Sequence, residues 1–169
     1  MTLENLLKDY CSYNLWANEL TVHWLKSKDQ DLMEREIPSS FPSLRSTLMH
    51  IWAAEDVWLN RLKNLSPTEF ISETYTGSTA KLFEHLLQNS ELFKYFVQRQ
   101  SDDFFNNTTI YKHLNGKPNE QYNAEIILHC MQHSTYHRGQ IVTIARSLGL
   151  TDPPKTDYIE YVRQKQTEL

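Results

Sequence analysis

The sequence predicts an all-α protein built as a four-helix bundle, and three observations carry that expectation. Four long stretches repeat apolar residues at spacings of three and four, the period of a helix with one buried face. Glycine and proline number only 4 and 6, so few positions interrupt a long helix. No self-similarity with a period of roughly 20–50 residues is present, which favours one antiparallel bundle over a repeat array.

The first helix is expected over residues 3–26, where Leu3, Leu6, Tyr10, Tyr13, Ala17, Leu20 and Trp24 share a stripe. Pro38, Pro42 and the neighbouring serines disfavour helix and supply caps, so the chain breaks at 37–43 with Ser43 as N-cap. Leu44, Leu48, Ile51, Trp58 and Leu62 mark a second helix over 44–64, ended ahead of Ser66-Pro67. Residues 65–78 are too polar and interrupted for a core element and read as a crossover loop. A third helix follows over 79–100, carried by Leu82, Phe83, Leu86, Phe93 and Val97. The run from Phe104 to Tyr122 is β-prone on both sides of the turn dipeptide Asn115-Gly116, which predicts a short hairpin. The fourth helix spans Asn123 to Leu148 and is stopped by Gly149. Pro153-Pro154 forces an extended stretch before a last segment, Tyr158 to Arg163. The whole, residues 1–169, fits one domain large enough for its own core. The long connections at 65–78 and 101–122 permit crossovers and leave the helix order open.

Bulk properties exclude several function classes. The net charge of -4 is mild and the lysines and arginines are scattered, so the positive face that nucleic acid requires is absent. No apolar run approaches membrane-spanning length, and the amino terminus lacks the pattern of a secretory signal; the expected location is the cytoplasm. Cys11 and Cys130 lie in different expected helices and read as packed thiols of a reducing compartment.

The chemistry is concentrated in His129-Cys-Met-Gln-His133-Ser-Thr-Tyr-His137. Residues four apart on a helix are neighbours, about 5–6 Å between Cβ atoms, so His133 and His137 can converge on one ion. Ile126, Cys130, Ile141, Ile144 and Leu148 share their stripe, which aims the pair into the core. Two protein ligands hold a metal weakly, and His50 in the second helix is the best offer of a third. Three neutral imidazoles suit Zn, Ni, Fe or Cu and leave a position for water or substrate. Ser134 follows His133, so the His-Glu-x-x-His arrangement is absent, and no histidine has the glutamate three residues before it that di-iron bundles use; the site would be mononuclear.

Other residues divide between structural and functional readings. A lone histidine is most often a hydrogen-bonded boundary residue, and the pairing of His133 with His137 is what departs from that background. His129 is rotated to the edge of the stripe and reads as outer or surface. Glu55 reads either as a buried carboxylate, paired or else orienting a ligand histidine, or as an exposed helix-edge salt bridge. Arg138 reads first as the partner of an acid and second as a clamp for an anionic substrate. The Tyr13–Asn18 stretch reads as bundle packing with solvent-side asparagines, the alternative being that Trp16 and Asn18 line a pocket or dimer face. His23, His85 and His113 carry no signal.

Tyr13-Asn14-Leu15-Trp16-Ala17-Asn18, His50 with Trp52 and Glu55-Asp56-Val57-Trp58-Leu59, His133-x-x-x-His137-Arg138-Gly139-Gln140 and Asp157-Tyr158 occur in that order along nearly the whole chain. This combination resembles the DinB-like family of metalloenzymes. The resemblance implies a four-helix bundle, commonly a homodimer, with a divalent metal, nickel or zinc, on His50, His133 and His137. It further implies kinship with transferases that join low-molecular-weight thiols to electrophiles. The leading expectation is therefore a metal-dependent enzyme that activates a small thiol. A hydrolase with Glu55 or His129 as proton acceptor, and a non-catalytic metal-stabilised dimer, are the rivals.

Overall fold

The computed structural model describes residues 1–113 and 115–167; Leu114 of the expected turn and the last two residues of the expected domain lie outside the described residues. The elements run α1 (Leu3–Lys26), a 3-10 turn (Gln30–Leu32), α2 (Leu44–Leu62), α3 (Ile71–Thr74), α4 (Thr79–Gln98), α5 (Asp102–Asn106), β1 (Thr108–Lys112), β2 (Pro118–Tyr122), α6 (Asn123–Ser147) and α7 (Tyr158–Thr167). The four long helices are those expected, each ending within two residues of its expected bound. Local chemistry explains the ends. Thr2 caps α1 by accepting from the Asn5 amide, and Ser43 forms a reciprocal capping box with Ser46 at the start of α2. Gly149, at φ 81°, takes the left-handed position after α6.

Helices α1, α2, α4 and α6 form the bundle, with α1 and α2 each packed against both α4 and α6. Consecutive helices α1 and α2 are thus diagonal, as are α4 and α6. The segment at 27–43 and the hairpin-bearing one at 99–122 make these diagonal passages, whereas 65–78 joins the neighbours α2 and α4. Two apolar clusters fill the interior: Leu25, Leu44, Leu48, Ile51, Phe83 and Ile141 toward one end, and Leu7, Leu59, Phe93, Phe105, Ile126 and Ile127 toward the other.

Two expectations are refined. The 65–78 loop carries the single turn α3, and Phe104 at the head of the expected β-prone run is helical, because α5 buries Phe105 while Phe104 packs on Phe96. The hairpin is present, pairing Thr108 with Tyr122 through Lys112 with Pro118, and Gly116 supplies a φ of 79° in its turn. Its alternation buries Thr109 and Tyr111 and exposes Ile110. Tyr111 meets Trp58 of α2 edge-on at 5.5 Å between ring centroids, which brings the hairpin over one end of the bundle. No described helix is long and apolar enough to cross a membrane.

Candidate metal centre

Because α2 and α6 are neighbours, His50 meets the His133–His137 face. His50 Nε2 lies 2.9 Å from His133 Nε2, and His137 Nε2 lies 3.1 Å from the same atom. All three residues offer ligand atoms within 4.8 Å of one another. Nitrogens each about 2.0–2.1 Å from one ion sit roughly 3 Å apart on adjacent corners of its coordination shell, so the spacing suits a shared cation. The hydrogen-bond chemistry points the same way. His137 Nδ1 lies 2.8 Å from Gln140 Oε1 and donates to that carbonyl, which leaves Nε2 of the neutral ring as a lone pair aimed at the cluster. One proton on His133 Nε2 can serve only one of its two nitrogen neighbours; a cation serves all three.

Burial keeps these rings neutral. It pushes His133 down to about 3, with His137, His50 and His129 adding to the effect, and His50 down to about 4, with His137 adding. His137 is also lowered by burial, against which its bond to Gln140 acts. Neutral lone pairs are therefore available at pH 7 without a proton to displace. Phe41, between the two prolines of the α1–α2 connection, stacks on His50 at 4.0 Å and meets His137 edge-on at 5.5 Å. It shields one side of the cluster. His133 Nδ1 is buried without a hydrogen-bond partner among the described residues.

A cavity of about 460 Å³ opens beside His50 and His133, lined also by Ala54, Val57, Trp58, Arg61 and Phe70, with the exposed His113 and Asn115 of the hairpin at its rim. His129 is exposed, meets Trp58 edge-on at 5.1 Å, and lines a different hollow with Tyr10 and Tyr136.

Glu55 settles into the first of its two readings as a buried, paired carboxylate, but its partners are not the histidines. It is fully buried and accepts from Asn14 Nδ2 at 2.8 Å, Asn18 Nδ2 at 3.1 Å, Ser90 Oγ at 2.6 Å and Ser134 Oγ at 3.1 Å. Desolvation raises its pKa, opposed by the bonds from Ser90, Asn14 and Ser134 and by Arg138. The asparagines are correspondingly not on the solvent side, each being only 1% exposed. Arg138 Nη1 donates to Asn14 Oδ1 at 2.7 Å and Asn18 Oδ1 at 2.9 Å, and Nη2 to Thr135 Oγ1 at 2.9 Å. Arg138 therefore reaches Glu55 through the two amides and is itself buried at 3% exposed. Its direction into the core follows from α1 lying across α6, which the pattern of α6 alone does not encode.

Trp16 packs on Tyr161 and donates to Gln164 Oε1 of α7. Cys11 and Cys130 are buried free thiols raised by burial. His85 stacks on Trp52 at 5.1 Å. Sequence reasoning passed over Phe41, Gln140 and Arg61 as site residues. Only Gln140, one turn beyond His137, carried a usable signal, since a ligand's other ring nitrogen commonly donates to an amide or carboxylate.

A family model described as the DinB family matches residues 1–169. The chain belongs to the DinB family. Protein DinB of Bacillus subtilis (strain 168) is 29% identical over 163 residues, covering 92% of this chain and 93% of that protein. A DinB-like protein from Bacillus cereus ATCC 10987 superposes with a TM-score of 0.63 at 21% identity, over 82% of this chain and 89% of its own. YfiT from Bacillus subtilis reaches 0.67 at 12% identity, over 85% and 89%, and is described as a probable metal-dependent hydrolase with an unusual four-helix bundle topology. At these identities the solved structures establish the shared bundle fold. Within this DinB-family chain, a three-histidine cluster that could hold a metal ion lies beside a cavity that His50 and His133 help to line.

Proposed function

We propose that His50, His133 and His137 hold a divalent cation, zinc or nickel, and that the protein is a metal-dependent transferase joining a low-molecular-weight thiol to a small electrophile. The observation that carries this reading is the convergence of three neutral imidazoles beside a cavity with no carboxylate among its described lining residues. A bound divalent cation lowers the pKa of a thiol or water that reaches it and so supplies a nucleophile at neutral pH. Hydrolysis by way of water calls for a positioned proton acceptor. Glu55 is spent on four donors in the core, and a thiol, far more acidic than water to begin with, would depend less on such a base. The chain's own residues have simple parts: Gln140 fixes the tautomer of His137, Phe41 keeps water from one side, and Ala54, Val57 and Phe70 give the acceptor an apolar wall.

A metal-dependent hydrolase is the second reading, favoured by the description of YfiT, with His113 or His129 rather than Glu55 as proton acceptor. The working unit is taken as a cytoplasmic homodimer, whose second copy would cover the exposed Leu128 and Tyr136 of α6, with a small molecule as substrate and neither nucleic acid nor membrane as partner.

The test joins elemental analysis to turnover. Purified protein should carry stoichiometric metal that His137→Ala loses, and the loaded protein should join thiols to monobromobimane, the sulfur–carbon bond forming as bromide leaves. Equal turnover by His133→Ala overturns the thiol reading. Turnover of ester or amide probes in place of bimane selects the hydrolase.

A further inference from the structure

Arg61 lines the same cavity as His50 and His133, and nothing in the metal chemistry uses it. Its side chain sits in the corner formed by two edge-on aromatic rings, the guanidinium carbon 4.4 Å from the Trp58 centroid and 4.5 Å from that of Tyr111. The residue is 6% exposed. Among the described residues it has no carboxylate partner, and its Nε is buried without any hydrogen bond. Asp56, the nearest acid on the same helix, instead accepts from Asn60 at 3.2 Å. A guanidinium is always charged and carries five donors in a planar fork. Leaving such a group buried and unpaired is costly, and cation–π contact with the two rings recovers only part of the cost.

We infer that Arg61 is the anion-binding residue of this cavity and that the ligand it receives is a small organic carboxylate. The fork matches a carboxylate with two parallel hydrogen bonds, the arrangement for which a rigid, desolvated arginine is best suited. Reach defines the rest of the ligand. Trp58, against which the guanidinium lies, is eight residues beyond His50 on α2, roughly 12 Å along the axis. The side chain of a helical residue leans toward the helix N-terminus, which is the side of Arg61 on which His50 lies. Between them run Ala54, Val57 and Phe70, which suit an alkyl or aryl spacer. The ligand is an elongated acid whose far end lies at the histidines. The anion subsite stands on Arg61 alone, and its role as a substrate subsite rests on the metal-dependent reading above.

The experiment measures binding of hexanoate and its neutral isostere hexanamide by calorimetry, on metal-free and on metal-loaded protein. Wild type should prefer the acid by about 10-fold or more in both forms. Arg61→Gln should lose the preference and Arg61→Lys, which keeps the charge without the fork, should retain part of it. A merely structural arginine would change melting temperature and leave the ratio of acid to amide untouched. No preference for the acid in wild type, or an unchanged preference in Arg61→Gln, overturns the inference. A preference seen only in metal-loaded protein also overturns it, because the acid then binds the ion. A preference in metal-free protein that proves to hold no metal sustains the anion site while the proposed function fails. If the acid and the thiol are one molecule, 6-mercaptohexanoate binds the loaded protein more tightly than hexanoate; equal binding assigns the carboxylate to the acceptor.

Discussion

Replacing Glu55 by alanine should destabilise the protein by about 3–5 kcal/mol, the cost typical of breaking a buried charge network by removing one partner. The structure shows how that figure arises. Four donors lose an acceptor: the Nδ2 groups of Asn14 and Asn18 and the hydroxyls of Ser90 and Ser134. A buried donor left unmade costs about 1–3 kcal/mol, but Asn18 Nδ2 retains Ser90 Oγ at 3.0 Å and the serine hydroxyls can rotate to backbone carbonyls. Against the loss stands relief from burying a carboxylate, the same desolvation that raises its pKa. Arg138 is then left in the core with no compensating charge, which places the balance on the destabilising side. Urea unfolding followed by far-ultraviolet circular dichroism should show the midpoint fall by about 1.5–2.5 M for an m-value near 2 kcal/mol/M. Glu55→Ala with Arg138→Met should cost about 1–3 kcal/mol less than the sum of the single changes, since each removes what the other strands. A single-mutant loss below about 1 kcal/mol, or additivity within about 0.5 kcal/mol, would refute the coupled network. Folded Glu55→Ala should still bind stoichiometric metal, because Glu55 does not bond to the histidines.

Gln140→Ala should weaken metal binding about 10- to 100-fold by freeing the His137 tautomer, measured by competition with a chromogenic chelator; unchanged affinity would remove Gln140 from the site. Acid should destabilise the metal-free protein. With His50 at about 4 and His133 at about 3 in the folded state against 6.5 ordinarily, the unfolded chain binds more protons in between, so stability drops as pH falls from 6.5 and levels off below about 3. Glu55, raised by burial, titrates with the opposite sign, so urea midpoints are compared with those of His133→Ala across the same window. A wild-type slope no steeper than the variant's would contradict the buried neutral cluster.

Much of the architecture was legible because it is written in local pattern. The stripe Leu44, Leu48, Ile51 and Leu62, opened by Ser43 and ended before Ser66-Pro67, contains both the period and the bounds of α2. The i,i+4 spacing of His133 and His137 likewise needs only helix geometry to become a pair on one face. Where the reading fell short, the deciding contact came from another helix. Asn14 and Asn18 look like amides fit for solvent until α1 lies across α6 and delivers them to Glu55 and Arg138. His113, without signal in its own surroundings, reaches the rim of the cavity because the hairpin folds over α2.

The amino-acid sequence by itself determined four amphipathic helices, their ends, a hairpin between the last two, and a histidine pair facing the interior. Periodicity and capping are local, so each segment carries that information whatever its neighbours do. Only the tertiary structure decided that α1 and α2 lie diagonally, that His50 completes the cluster, that Glu55 turns away from it, and that Arg61 lines the cavity beside it. Those outcomes depend on how each helix is rotated and which helices touch, and the energy that selects them is the packing of whole faces, which no single stretch of residues specifies.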